Sequence, residues 1–201
     1  MFIWTSKARH LALILLIAGC QMDPGAFATP VQTKTIAVLG GAVQVAAPAG
    51  YCVDKQSARQ QADGAVVLMG RCSGGSNTAP AVISVTIGAA GSAGIMADGG
   101  TALAAYFQTT DGRAALSRTG AADRVTIVQA ANSDGAYILR IVEAGVGDYW
   151  RAIAGISGRL VTMSVQGPTG SALDQATGRK LLGASLAALR RANPIRQAEA
   201  L

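Results

Sequence analysis

The sequence predicts an α+β domain: a mainly antiparallel sheet of hairpins, with a middle helix and a long C-terminal helix packed on it. Three observations carry that expectation. Residues 124–130 and 136–142 are alternating arms around a turn of Asn132, Ser133, Asp134 and Gly135, and 149–154 with 160–165 make a second hairpin around 155–158. Residues 65–70 are a continuous apolar run, as expected of a buried central strand. Leu182, Leu186 and Leu189 recur at helical spacing near the C-terminus, an apolar stripe along one face of a helix.

Taken in order, Thr35–Leu39 and Ala42–Ala47 read as two strands around Gly40-Gly41, and Pro48 ends the second. Gly50–Asp54 is a third extended piece. Asp54 is placed to cap a short helix through Gln61, and Asp63-Gly64 is a turn. After the 65–70 run and a loop over 73–80, residues 81–88 form another strand. Gly88, Gly91 and Gly94 then make a Gly-rich loop whose spacing matches neither the dinucleotide nor the phosphate-loop fingerprint, so it reads as a flexible loop. The middle helix is expected over about Gly100–Thr109, with Leu103 and Phe107 on one face, and a second helical piece over Arg113–Arg118. Gly167-Pro168 stops the last strand. Ser171 with Asp174 has the spacing of a capping box opening the long helix. Arg190 and Arg191 lie in its last turn, where the helix dipole favours cations, and Pro194 limits its extent.

The N-terminus reads differently. Lys7 and Arg9 precede the uncharged run Leu11–Gly19, which has signal-peptide length and falls short of the about 20 apolar residues a membrane span needs. Ile17-Ala18-Gly19-Cys20 resembles the lipobox of bacterial lipoproteins. The resemblance implies cleavage before Cys20 and acylation of its thiol; two or more acyl chains, at about 0.8 kcal/mol per buried CH₂, give stable anchoring. The expected organisation is a signal peptide over 1–19, a lipidated N-terminus and tether over 20–33, a single domain over 34–191, and a tail over 192–201. The expected location is the cell envelope, facing the periplasm, with the outer or inner membrane left open.

Composition agrees with that setting. Removing residues 1–19 from the 201 leaves 182, enough for one domain with a good core. Half of the chain is hydrophobic and only 4% aromatic, so Val, Ile, Leu and Ala must build that core. Loss of Lys7 and Arg9 lowers the net charge from +6 to +4. Basic residues gather late in the chain (Arg151, Arg159, Arg179, Lys180, Arg190, Arg191, Arg196). Export and the lack of interleaved bases and aromatics argue against nucleic acid. With Cys20 acylated, Cys52 and Cys72 remain, and an oxidising compartment predicts a Cys52–Cys72 disulfide. Closing a loop of about 20 residues is worth roughly 3 kcal/mol in the chain-entropy model.

Little catalytic chemistry is on offer. The sole histidine, His10, lies in the leader, so the mature chain has no imidazole for a nucleophile system, a metal or a general base. Four aspartates (Asp63, Asp98, Asp111, Asp134) precede glycine, as turn residues do. Glu143 and Asp148, near the junction of the two hairpins, are the pair that could converge as a two-carboxylate hydrolase site. No catalytic residue, metal ligand or cofactor is expected.

The order of elements resembles the Mog1/PsbP-like fold over residues 34–191, most of all in the last hairpin and long helix, Asp148 to Arg191. That resemblance implies a binding or assembly factor and transfers no functional residue, because no motif matches. The expected function is therefore a membrane-anchored, non-enzymatic accessory domain that binds an envelope protein partner and touches the membrane through Cys20. Two alternatives stand beside it: a small-ligand or lipid-binding module with a pocket between sheet and helix, and the carboxylate hydrolase.

Overall fold

A computed structural model describes residues 33–74, 77–168 and 171–194. The lipobox cysteine Cys20, the leader and the tether to residue 32 lie outside the described residues, as do 195–201 of the tail. The α+β architecture is as the sequence predicts. Strands β1 (Thr35–Val38) and β2 (Val43–Ala46) form a small antiparallel hairpin. Strands β3 (Tyr51–Gln61), β4 (Gly64–Arg71), β5 (Val82–Ala90), β6 (Val125–Ser133), β7 (Ala136–Glu143), β8 (Gly147–Ile156) and β9 (Arg159–Gln166) form one antiparallel sheet in the order β3-β4-β5-β9-β8-β7-β6. Helices α1 (Thr101–Gln108) and α2 (Thr110–Leu116) connect β5 to β6, after a 3₁₀ turn at Ser92–Met96; α3 (Gln175–Ala192) follows β9.

The two late hairpins form for the reasons their turns suggest. Asp134-Gly135 and Ser157-Gly158 all adopt positive φ, the conformation that tight two-residue hairpin loops require. The turns fix register, and register sends alternate side chains to opposite faces.

One face is sealed. Val67, Met69, Ile83, Val85, Ile87, Val161, Met163 and Val165 point to it, and α3 covers them with Leu182, Leu186 and Leu189, as the apolar stripe requires. The β1–β2 hairpin extends the cover through Val38, Val43 and Val45. Asn193 at the end of α3 ties helix to hairpin: its side-chain amide accepts from Gln44 N at 2.8 Å and donates to Gln44 O at 2.7 Å. A disulfide joins Cys52 on β3 to Cys72 just past β4, as expected, with Cα atoms 5.0 Å apart.

Three local expectations are corrected. Residues 54–61 are strand, not a helix capped by Asp54. The Asp54 carboxylate instead accepts from Gln56 N at 2.9 Å in a bulge, and Ser57 Oγ fills the interrupted ladder by accepting from Leu68 N at 2.8 Å. The second helical piece starts earlier, at Thr110, because Thr109 caps it by accepting from Gly112 N at 3.0 Å. The long helix begins at Gln175, capped by Asp174 on Thr177 N at 2.9 Å, rather than at Ser171. Among the described residues, no helix is long and apolar enough to cross a membrane.

Candidate ligand groove

The second face of the sheet is only half covered. The middle helices pack over β6, β7 and β8, where Leu103, Phe107 and Leu116 meet Tyr137, Leu139, Ile141, Tyr149 and Ile153. Over β4 and β5 no helix follows. Val66, Leu68 and Val82 are left 38%, 37% and 40% exposed on that side. Where cover gives way to bare sheet, a groove of about 550 Å³ runs between the helices and the β5–β9 ladder.

The groove has three kinds of lining. Its floor carries four hydroxyls in two facing pairs, since Ser84 lies opposite Ser164 and Thr86 opposite Thr162 in the β5–β9 register. Ser84, Thr86 and Thr162 make no side-chain hydrogen bond among the described residues, so they present free donors and acceptors to whatever enters. One wall is apolar and aromatic: Leu103, Tyr106, Phe107, Leu116 and Ile153. At the end sits Arg151 on β8, directly across from Ser164 on β9.

Arg151 is held by its surroundings without being neutralised by them. Its Nε donates to Ser164 Oγ at 3.0 Å, Nη1 reaches the Leu116 carbonyl at 3.4 Å, and the guanidinium lies 5.3 Å from the Tyr149 ring centre. Leu116 is the last residue of α2, so its carbonyl has no partner within the helix. Burial pushes the Arg151 guanidinium below its ordinary value, with Tyr149 and Glu143 opposing that shift and Arg118 adding to it.

Behind Arg151 lies a buried polar cluster. Glu143 is 1% exposed; its Oε1 accepts from Ser117 Oγ at 2.8 Å and Arg118 N at 2.7 Å, and its Oε2 accepts from Tyr149 OH at 3.2 Å. The Tyr149 hydroxyl also lies 3.2 Å from Leu116 O, so its single proton serves two acceptors. Burial, chiefly, drives the Tyr149 phenol up to about 12, with Glu143 adding to the rise and Arg151 opposing it. The cluster anchors the end of α2 to the sheet.

The two carboxylates that the sequence allowed to converge do not. Glu143 and Tyr149 face the middle helices, whereas Asp148 is on the opposite face with Trp150 and pairs with Arg140. Adjacent positions across the β7–β8 turn thus send their side chains to different layers. The sheet–helix pocket of the alternative reading does not open under the leucine stripe of α3, where leucine and valine fill the interface. A cavity of about 900 Å³ lies instead at the end of that helix, lined by Gln44, Gly155, Ile156, Arg190 and Asn193, and the hydroxyl-floored groove is on the other face. The late basic residues are distributed: Arg159 donates to Gly88 O at 2.9 Å, Arg179 lies 5.7 Å over Trp150, and Arg190 and Arg191 end α3. Arg196 lies outside the described residues.

Sequence reasoning missed the groove but its signal was present. On β5 and β9, Ser84, Thr86, Thr162 and Ser164 alternate with Ile83, Val85, Ile87, Val161, Met163 and Val165, marking one wet and one dry face in the middle of the sheet. Comparison of the chain with protein-family models, with curated proteins and with solved structures yields no match.

Proposed function

We propose that this chain is a lipid-anchored cell-envelope protein whose folded domain binds a ligand rather than transforming one, and that the groove beside α1 and α2 is the binding site. The observation that carries the binding half of the reading is the groove's lining. It combines apolar walls with free hydroxyls and a guanidinium, the mixture that orients a ligand within a mostly apolar cleft. That lining includes no carboxylate, imidazole or thiol, and a guanidinium is a poor proton acceptor, which supports binding over catalysis. The anchor half rests on the lipobox at Ile17–Cys20.

A second reading keeps the accessory role with an envelope protein as partner. The uncovered strip of Val66, Leu68 and Val82, continuous with the groove floor through the Leu68–Ser84 and Val66–Thr86 pairs, favours it.

The test uses the full chain, exported with Cys20→Ser so that no acyl chain competes, and the uncharged dye N-phenylnaphthylamine. Saturable one-site fluorescence enhancement is expected. Ser84→Phe, which fills the groove from its floor, should weaken it about tenfold, the scale of losing about 1.4 kcal/mol of apolar contact. Thr86→Trp fills the same groove from an exposed position and serves if the first variant unfolds. Dye binding that is absent, or indifferent to both substitutions, overturns the groove as the site.

A further inference from the structure

Arg151 adds a chemical specification to the groove. A guanidinium withdrawn from water carries a desolvation cost that a well-placed anion offsets. Among the described residues no carboxylate hydrogen-bonds to Arg151. Among the described residues Arg140–Asp148 is the one ion pair. The nearby carboxylate, Glu143, is already committed to Ser117, the Arg118 amide and Tyr149. Arg118 adds a second positive charge at the same end, its own guanidinium bonded to Gln166.

The guanidinium also has capacity left. Of its five N–H groups, one serves Ser164 and one the Leu116 carbonyl. Nη2 makes no hydrogen bond among the described residues and is not shut off from solvent, since Trp150 Nε1 is the sole buried side-chain nitrogen or oxygen without a partner there, and Arg151 lines the groove. A planar fork with two parallel donors fits a carboxylate bidentately. Ser84 and Thr162, on the same floor and unbonded, can complete the anion's shell. Next to them, Leu103, Phe107 and Ile153 offer contact to an apolar body, and 550 Å³ lies in the range of small-molecule sites.

We propose that the groove selects a carboxylate amphiphile: a small molecule whose one anionic head sits on Arg151 and whose apolar body lies along the wall of Leu103, Phe107 and Ile153. The proposal rests on the groove being a binding site and deepens that reading by naming the ligand's chemical class. A single guanidinium, with the neighbouring Arg118 side chain engaged by Gln166, suits a monoanion better than a phosphate dianion.

Displacement of N-phenylnaphthylamine by four ten-carbon chains, each below its aggregation concentration, tests it: decanoate, decanol, decylammonium and monodecyl phosphate. Decanoate should displace the dye about tenfold more tightly than decanol, the scale of one hydrogen-bonded charge. Decylammonium should be weaker than both, and monodecyl phosphate no better than decanoate. With displacement read against each variant's own dye affinity, decanoate and decanol should become equal in Arg151→Gln; Arg151→Lys, which keeps the charge without the fork, should restore part of the preference. Dye binding with equal displacement by decanoate and decanol overturns the carboxylate claim and leaves the groove standing. Preference retained in Arg151→Gln assigns the anion elsewhere and also overturns it. A preference for the phosphate replaces the monoanion with a dianion and refutes the proposal as stated. Failure of the dye itself to bind removes the groove and the proposal together.

Discussion

Tyr149 shows how a single buried hydroxyl links fold and site. It holds the end of α2 through Leu116 O, satisfies Glu143, and supports Arg151 across its ring face. Its phenol is raised from 10.0 to about 12, first by burial. The folded protein therefore keeps this proton at pH values where the unfolded chain releases it. The contribution is whole below pH 10 and is lost as pH rises through about 12. Thermal midpoints taken across that window should fall more steeply for the wild-type protein than for Tyr149→Phe. Equal slopes would assign the alkaline loss to Tyr51 and Tyr137, whose phenols burial also raises. The role of Arg151 was not legible beforehand: it is one of several late arginines in the sequence, and its distinction comes from Leu116 and Ser164, its partners in the fold.

At the scale of elements, helix α3 was legible because one face must be apolar, yet its close approach to the sheet turns on a glycine. A Cβ on Gly178 would come within 2.7 Å of Trp150 Cδ1, while Gly183 on the same helix has nothing within 4 Å. The two positions should respond with opposite signs. Gly178→Ala should destabilise by about 1–2 kcal/mol, overpacking outweighing the better helix propensity. Gly183→Ala should stabilise by about 0.5–1 kcal/mol. Denaturant midpoints check both, and a Gly178→Ala protein as stable as the parent would mean that Trp150 moves at no cost. Strand β3 was misread for a related reason. Asp54 has the chemistry of a helix cap and of a bulge alike, and pairing with β4, a long-range partner, decides between them.

Across the whole molecule, unequal cover of the two sheet faces produces the site. One face is closed by α3 and the β1–β2 hairpin; the other is closed over β6–β8 and open over β4–β5. A groove at such a boundary is held by regular elements on both sides, which keeps its residues in fixed positions. The proposed anchor would present this domain at a membrane surface. Replacing Cys20 by Ser should abolish acyl labelling and move the protein from the membrane fraction to the soluble one; unchanged membrane retention would defeat the anchor.

The sequence by itself determined the α+β class, the two late hairpins, the apolar stripe of α3 and the Cys52–Cys72 pairing. Each depends on local periodicity, on turn chemistry or on the number of cysteines. It also sorted the residues of β5 and β9 into a wet and a dry side. Only the tertiary structure decided which layer covers which side, and therefore that Glu143 and Asp148 part company while Arg151 lines the same groove as four hydroxyl residues. Strand alternation specifies two faces but not what packs on each; that follows from where the β5–β6 connection and α3 cross the sheet, a long-range choice that no short window of residues contains.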